Sequence, residues 1–152
     1  MSVTIWFTQV TPEQLATARD DPEWAWEQDW GDDVPDADVD RSWPGLEFLF
    51  GRAGVGIDIL GAGGEPVDDD GTLFAWEPDE VEHVAKTLRD TTWEQLAAHN
   101  DPAELSRREI YPGRHLWAAD DLEQLRWGYQ ALTGFFATVS AARAPALMFF
   151  SF

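Results

Sequence analysis

The stretch DLEQLRWGYQALTGFFATVSAAR, residues 121–143, constrains the fold more than any other part of the chain. Leu122, Leu125, Tyr129, Leu132, Phe136 and Val139 recur at spacings of three and four, which gathers them on one face of an α-helix. A long helix with one buried face is therefore predicted from about 121 to 142. Pro145 ends it, and ALMFFSF (146–152) reads as a terminal strand that can lie beside the strand at the start. That first strand is VTIWFTQV (3–10), with Val3, Ile5 and Phe7 on one face. Trp6 on the opposite face predicts that both sides are partly covered.

Between these ends the helix-start signals are dense. TPEQLATARD places Thr11 at an N-cap, Pro12 at N1 and Gln14 where it closes a capping box. DPEWAWEQDWG repeats the arrangement with Asp21 and Pro22, and Gly31 as the stop, so a short helix over 22–30 is expected. Its Trp26 and Trp30 would share a face at i,i+4. The acidic segment 31–39 reads as a connecting loop. DRSWPGLEFLFG (40–51) predicts a helix with Asp40 or Ser42 near its cap. The glycine-rich run after it predicts a short strand or turn around 57–60 and then an exposed loop. TLFAWE (72–77) is a second strand candidate, and Pro78 opens a helix to about Arg89 with Val81, Val84, Ala85 and Leu88 inward. Thr92 with Gln95, and Asp101 with Pro102, start two shorter helices. The order is strand, helices, strand, helices, strand, without regular β–α alternation. At 152 residues this predicts a single α+β domain over 1–152, with a small sheet that includes both terminal strands packed with several helices.

The formal net charge is −19, and residues 1–80 hold 20 acids against three bases. DDPEWAWEQDWGDDVPDADVD, Asp20 to Asp40, has ten carboxylates, three tryptophans and no base. Such a balance excludes nucleic acid and anionic membranes as natural partners, because phosphate neutralisation needs clustered Lys and Arg. It would attract a basic protein. No cysteine is present, which removes disulfides, thiolate catalysis and Cys-ligated zinc. The start MSVTIWFTQVTPEQ has no secretory pattern, and no apolar run approaches the ~20 residues of a membrane span. A cytoplasmic protein is expected. Lys86 is the single lysine among ten basic residues, a bias associated with GC-rich bacterial genomes.

Three blocks together carry a family resemblance: DRSWPGLEFLFG (40–51), GGEPVDDDG…FAWEPDEVEHVAKTL (63–88) and REIYPGRHLW (108–117) followed by the long helix. They resemble the YfbM-like proteins, a bacterial family of small cytoplasmic α+β single domains with no assigned function. Asp40, Arg41 and Trp43, and the turn Ile110, Tyr111, Pro112, are the most recognisable parts. Many members have histidines inside the first block, where this chain has Pro44 and Glu47, so no role for those histidines transfers. The resemblance implies the fold and leaves activity open.

Asp36, Asp38, Asp40, Ser42 and Glu47 fall at positions 1, 3, 5, 7 and 12 of a calcium loop. Arg41 stands where that loop needs its glycine, so no metal and no cofactor is predicted. Asp79 and His83 pair at i,i+4, but no second histidine sits at ligand spacing, so His83 and His99 read as ordinary surface or half-buried residues. His115, after the Tyr-Pro turn and beside Arg114, is a candidate pocket residue. No G-x-S-x-G, phosphate-loop or dinucleotide signature appears. Among nine tryptophans, Trp6, Trp76 and Trp127 are assigned to the core. Trp24, Trp26 and Trp30 cannot all face one stripe, so at least one should be exposed among carboxylates. Two readings follow. The first is a non-enzymatic binding module in which Trp24, Trp26, Trp30, Asp32, Asp33, Asp36 and Asp38 meet a basic protein. The second is a small-ligand-binding protein or unrecognised hydrolase, with a pocket around Asp40, Arg41, Trp43, Tyr111, Arg114 and His115. A monomer and a homodimer are both compatible with the sequence.

Overall fold

The computed structural model describes residues 4–40, 42–55, 64–108, 110 and 119–151, with 40, 119 and 120 described by backbone alone. Within them the chain runs β1 (Thr4–Gln9), α1 (Pro12–Asp20), α2 (Pro22–Glu27), β2 (Asp36–Asp40), α3 (Trp43–Ala53), β3 (Glu65–Pro66) and β4 (Leu73–Trp76). It continues with α4 (Pro78–Asp90), α5 (Trp93–Ala97), α6 (Pro102–Arg107), α7 (Ala119–Ala141) and β5 (Ala146–Ser151). The strands form one antiparallel sheet in the order β2-β1-β5-β4-β3, so the first and last strands are neighbours at its centre. The protein is a single-domain α+β fold.

Strand alternation divides the sheet into two apolar faces. Ile5, Phe7, Ala37, Val39, Phe74, Trp76, Met148 and Phe150 point to one side, where α3, α4 and α7 pack on them. Leu73, Ala75, Leu147 and Phe149 point to the other, under Leu15 and Ala18 of α1 and Ala25 of α2. Helices thus cover both faces, as Trp6 on the minor face of β1 implied. Leu125, Tyr129, Leu132, Phe136 and Val139 are buried, which confirms the face predicted for α7. Tyr129 joins that helix to the end of α4: its hydroxyl donates to the Leu88 carbonyl at 2.8 Å and to the Thr91 carbonyl.

The helix starts are built as the sequence indicated. Thr11 Oγ1 accepts from the Gln14 amide at 3.1 Å while Gln14 Oε1 accepts from the Thr11 amide at 2.8 Å. Thr92 and Gln95 repeat the reciprocal pair at 3.2 and 2.7 Å. Asp21 and Asp101 cap α2 and α6 by accepting from the amides of Trp24 and Glu104. Asp68 also has a structural task, accepting from the Thr72 and Leu73 amides to hold the β3–β4 turn.

Four expectations are corrected. The segment 31–39 is not all loop: its second half becomes β2, with Ala37 and Val39 buried and Asp36 and Asp38 exposed. The two inward residues bury enough apolar surface to make an edge strand despite the flanking acids. The second helix ends at Glu27, because Gln28 is extended at φ −74°, ψ 139°, so Trp30 lies outside it. Of the two caps expected for the helix in 40–51, Asp40 is excluded because it is still in the sheet, and Ser42 is the N-cap before Trp43, where α3 begins. Trp127 is not core but 62% exposed. It sits two residues from both Leu125 and Tyr129, and at 100° per residue that puts it opposite the buried stripe. The strand or turn expected around 57–60 lies outside the described residues.

Candidate functional site

The acidic segment and the tryptophans come together on the α1–α2 side of the sheet. Phe149, fully buried in β5, is their common support. Trp6 stacks on it with ring centroids 3.9 Å apart and planes 3° from parallel. Trp26 meets it edge-on at 4.9 Å and Trp30 at 6.4 Å, while Trp24 packs against Trp30 at 5.9 Å. Trp26 and Trp30 therefore converge through a shared partner rather than through helical spacing. Trp26 keeps 38% of its surface exposed. Asp38 lies directly across the strand pair from Trp6, with Asp36 opposite Thr8, so both carboxylates border the same aromatic cluster. Glu23, Glu27, Asp29, Asp32 and Asp33 are exposed on the adjoining helix and turn. The result is an accessible indole edge set among carboxylates.

The calcium-like pattern takes a different form. Asp36 and Asp38 sit on an extended strand, and Glu47 lies in α3. Alternate strand residues are about 7 Å apart and do not wrap one ion as a looped backbone does. Among the described residues no group of three or more His, Asp or Glu could hold a metal. Asp79, His83 and His99 are exposed surface positions.

On the opposite side, a cleft of about 480 Å³ opens between α3 and the end of α6. Trp43, Pro44, Phe48 and Ile110 form its apolar walls, and Glu47, Arg52 and Arg108 its charged rim. Phe48 sits beneath both guanidiniums, with Arg52 Cζ 5.0 Å and Arg108 Cζ 5.8 Å from its ring centre. Glu104, only 12% exposed, aligns them. Its carboxylate receives Arg108 Nε at 2.6 Å and Arg52 Nη2 at 3.4 Å, and pairs with Arg107 as well. Gly51 completes the lining. A Cβ there would meet nothing within 4 Å, so packing does not call for glycine. In a helix interior glycine costs roughly 0.5–1 kcal/mol relative to alanine.

Of the sequence-derived pocket residues, Trp43 lines this cleft. Arg41, Tyr111, Arg114 and His115, and the Asp40 side chain, lie outside the described residues. Phe48, Gly51, Arg52, Glu104, Arg107 and Arg108 were not anticipated. One signal was available, since Arg107-Arg108 is a rare basic pair in so acidic a chain. The described lining offers one carboxylate, Glu47, and two guanidiniums, Arg52 and Arg108.

No helix among the described residues is long and apolar enough to cross a membrane. No curated protein matches the chain. Its structure resembles the crystal structure of a protein of unknown function, YfbM from Escherichia coli, with a TM-score of 0.71 and 17% sequence identity. That likeness covers 97% of this chain and 99% of the other, and at such identity it speaks for the fold. The model of the domain of unknown function DUF1877 matches residues 1–149, and the chain belongs to that YfbM-like family.

Proposed function

We propose that this chain is a non-enzymatic binding module whose acidic N-terminal half docks a basic protein partner. The observation that carries the reading is Trp26, 38% exposed and bordered by carboxylates in a stretch without a basic residue. Rigid aromatics dominate protein–protein hot spots, because they bury large areas at small entropic cost. Opposite charge around such an anchor accelerates encounter and excludes acidic competitors. Carboxylates this exposed are screened over about 8 Å at physiological salt, so the association must weaken as salt rises.

The test is a pull-down with the tagged protein from the lysate of its own cells, washed at low and at high salt. Two variants run alongside, Trp26→Ala and a four-site reversal of Asp32, Asp33, Asp36 and Asp38 to lysine. A basic protein retained by the native chain, and lost with salt and with each variant, supports the reading. Retention that ignores both variants, or no retained protein, refutes it.

A second reading is a small-ligand-binding protein, favoured by the cleft that Trp43 and Ile110 share with Arg52 and Arg108. It uses the other side of the sheet and is compatible with the first.

A further inference from the structure

We propose that the cleft beside α3 binds a small molecule carrying one oxyanion group, a carboxylate or a phosphate, on a flat apolar body. This inference rests on the second reading above and names the chemistry of its ligand.

Three observations carry it. The first is charge. Arg52, Arg107 and Arg108 are three of the chain's ten basic residues, and they meet around Glu104 and the cleft rim. Among the described residues there, even counting Glu47, three guanidiniums stand against two carboxylates, in a chain of net charge −19. A guanidinium presents five N–H donors, and a carboxylate or phosphate accepts them in pairs. Arg108 lines the cleft while giving its Nε to Glu104 Oε1.

The second is preorganisation. Glu104 is held at the start of α6, where its amide donates to Asp101, and its side chain fixes Arg52 from α3 and Arg108 just after α6. Both guanidiniums also rest over the Phe48 ring. Long side chains locked this way lose little further entropy when an anion arrives. The third is shape. About 480 Å³ falls within the range of small-molecule sites, and the walls are Trp43, Phe48 and Ile110. Gly51 keeps that space open at a position where a side chain would meet no neighbour. An aromatic acid fits this combination: its ring lies against Trp43 and Phe48 and its oxyanion reaches Arg52 and Arg108.

The experiment follows the Gly51 and Arg52 amides and the Trp43 indole N–H by NMR during titration with four probes. These are phenyl phosphate, benzoate, benzyl alcohol and inorganic phosphate. Two variants are compared with the native protein: R52Q/R108Q, which removes charge at exposed positions, and Gly51→Leu, which fills the cleft without altering charge. Thermal melts of each variant verify that it folds. The expected result is saturable shifts from phenyl phosphate or benzoate, with Kd on the order of 1 mM or tighter. Which of the two acids binds more tightly identifies the oxyanion. Affinity falls at least about tenfold in R52Q/R108Q, equal to 1.4 kcal/mol, and vanishes in Gly51→Leu. Benzyl alcohol binding as well as the acids, blocked by Gly51→Leu but indifferent to R52Q/R108Q, would overturn the oxyanion and leave the pocket reading standing. Inorganic phosphate reproducing the full effect would overturn the apolar body. No saturable shift from any probe would overturn both the inference and the pocket reading.

Discussion

Replacing Tyr129 with phenylalanine isolates one buried hydroxyl. Tyr129 is 5% exposed, and its ring packs near Phe50 and Trp93 at centroid distances of 6.3 and 5.9 Å. Tyr129→Phe keeps those contacts and deletes only the oxygen. What is lost is the donation to the Leu88 and Thr91 carbonyls at the end of α4. The Leu88 carbonyl still receives the Thr91 amide at 3.3 Å, so among the described residues only the Thr91 carbonyl loses its donor. One net hydrogen bond is worth about 1 kcal/mol, and an orphaned part-buried carbonyl adds up to about 1 kcal/mol more. The expected loss is about 1–2 kcal/mol in urea unfolding, which for a chain of this length is roughly 2–8 °C in Tm. The hydroxyl's pKa supplies a second readout. Burial, aided by the negative charge of Glu94, holds it above its ordinary value of 10.0. Below about pH 10 both states keep the proton, and the contribution is complete. Above it the unfolded chain releases the proton first, so the stability advantage of the native protein over Tyr129→Phe shrinks as pH rises. Equal stabilities within about 0.3 kcal/mol, or a difference that stays constant between about pH 8 and 11, would refute the reasoning.

The aromatic cluster stands on one side chain, so Phe149→Ala should cost about 3–5 kcal/mol and red-shift tryptophan emission as Trp6 and Trp26 lose their support. Gly64 has φ +83°, and a Cβ there would lie 2.9 Å from both the Ala75 carbonyl oxygen and Trp76 Nε1. Gly64→Ala should therefore destabilise by roughly 1–3 kcal/mol in chemical denaturation, and a neutral result would contradict that packing. Trp127→Gln, at a 62% exposed position, should leave stability within about 0.5 kcal/mol. A larger loss on dilution, measured by sedimentation, would mean that Trp127 is covered in a homodimer.

Local grammar was legible wherever one short stretch carries its own instructions. The reciprocal caps at Thr11/Gln14 and Thr92/Gln95, the prolines at helix starts and the inward face of α7 all have such instructions. The β2 strand was missed for a physical reason. Its alternation, Ala37 and Val39 inward, was present, but acids dominate the segment and β1 supplies the hydrogen bonds that make it a strand. Trp127 failed differently, because a place in the long helix does not decide burial, whereas its angle to the Leu125–Tyr129 stripe does. The aromatic cluster was half legible: exposure among acids could be counted from three tryptophans on a short helix, whereas the convergence on Phe149 required β5 to lie beside β1. The cleft was least legible. Arg52 and Arg108 are far apart in sequence and meet through Glu104 and Phe48, and no spacing in the sequence links these residues to one another.

The central place of β5 has a consequence for how the molecule comes into being. β1 can pair with β2, and β3 with β4, as soon as each hairpin-like pair exists, but β1 and β4 touch the same sheet only through β5. Until Ala146–Ser151 is in place, the two halves are separate ribbons with open inner edges. The helices that cover them have no continuous surface to cover, because Leu147, Met148, Phe149 and Phe150 contribute to both cores. On the ribosome, which makes the chain at about 5–20 residues per second, the joining of the two ribbons must wait for that strand. A nascent chain stalled short of Ala146 would therefore expose two unsatisfied strand edges, one on β1 and one on β4, to any neighbour able to pair with them.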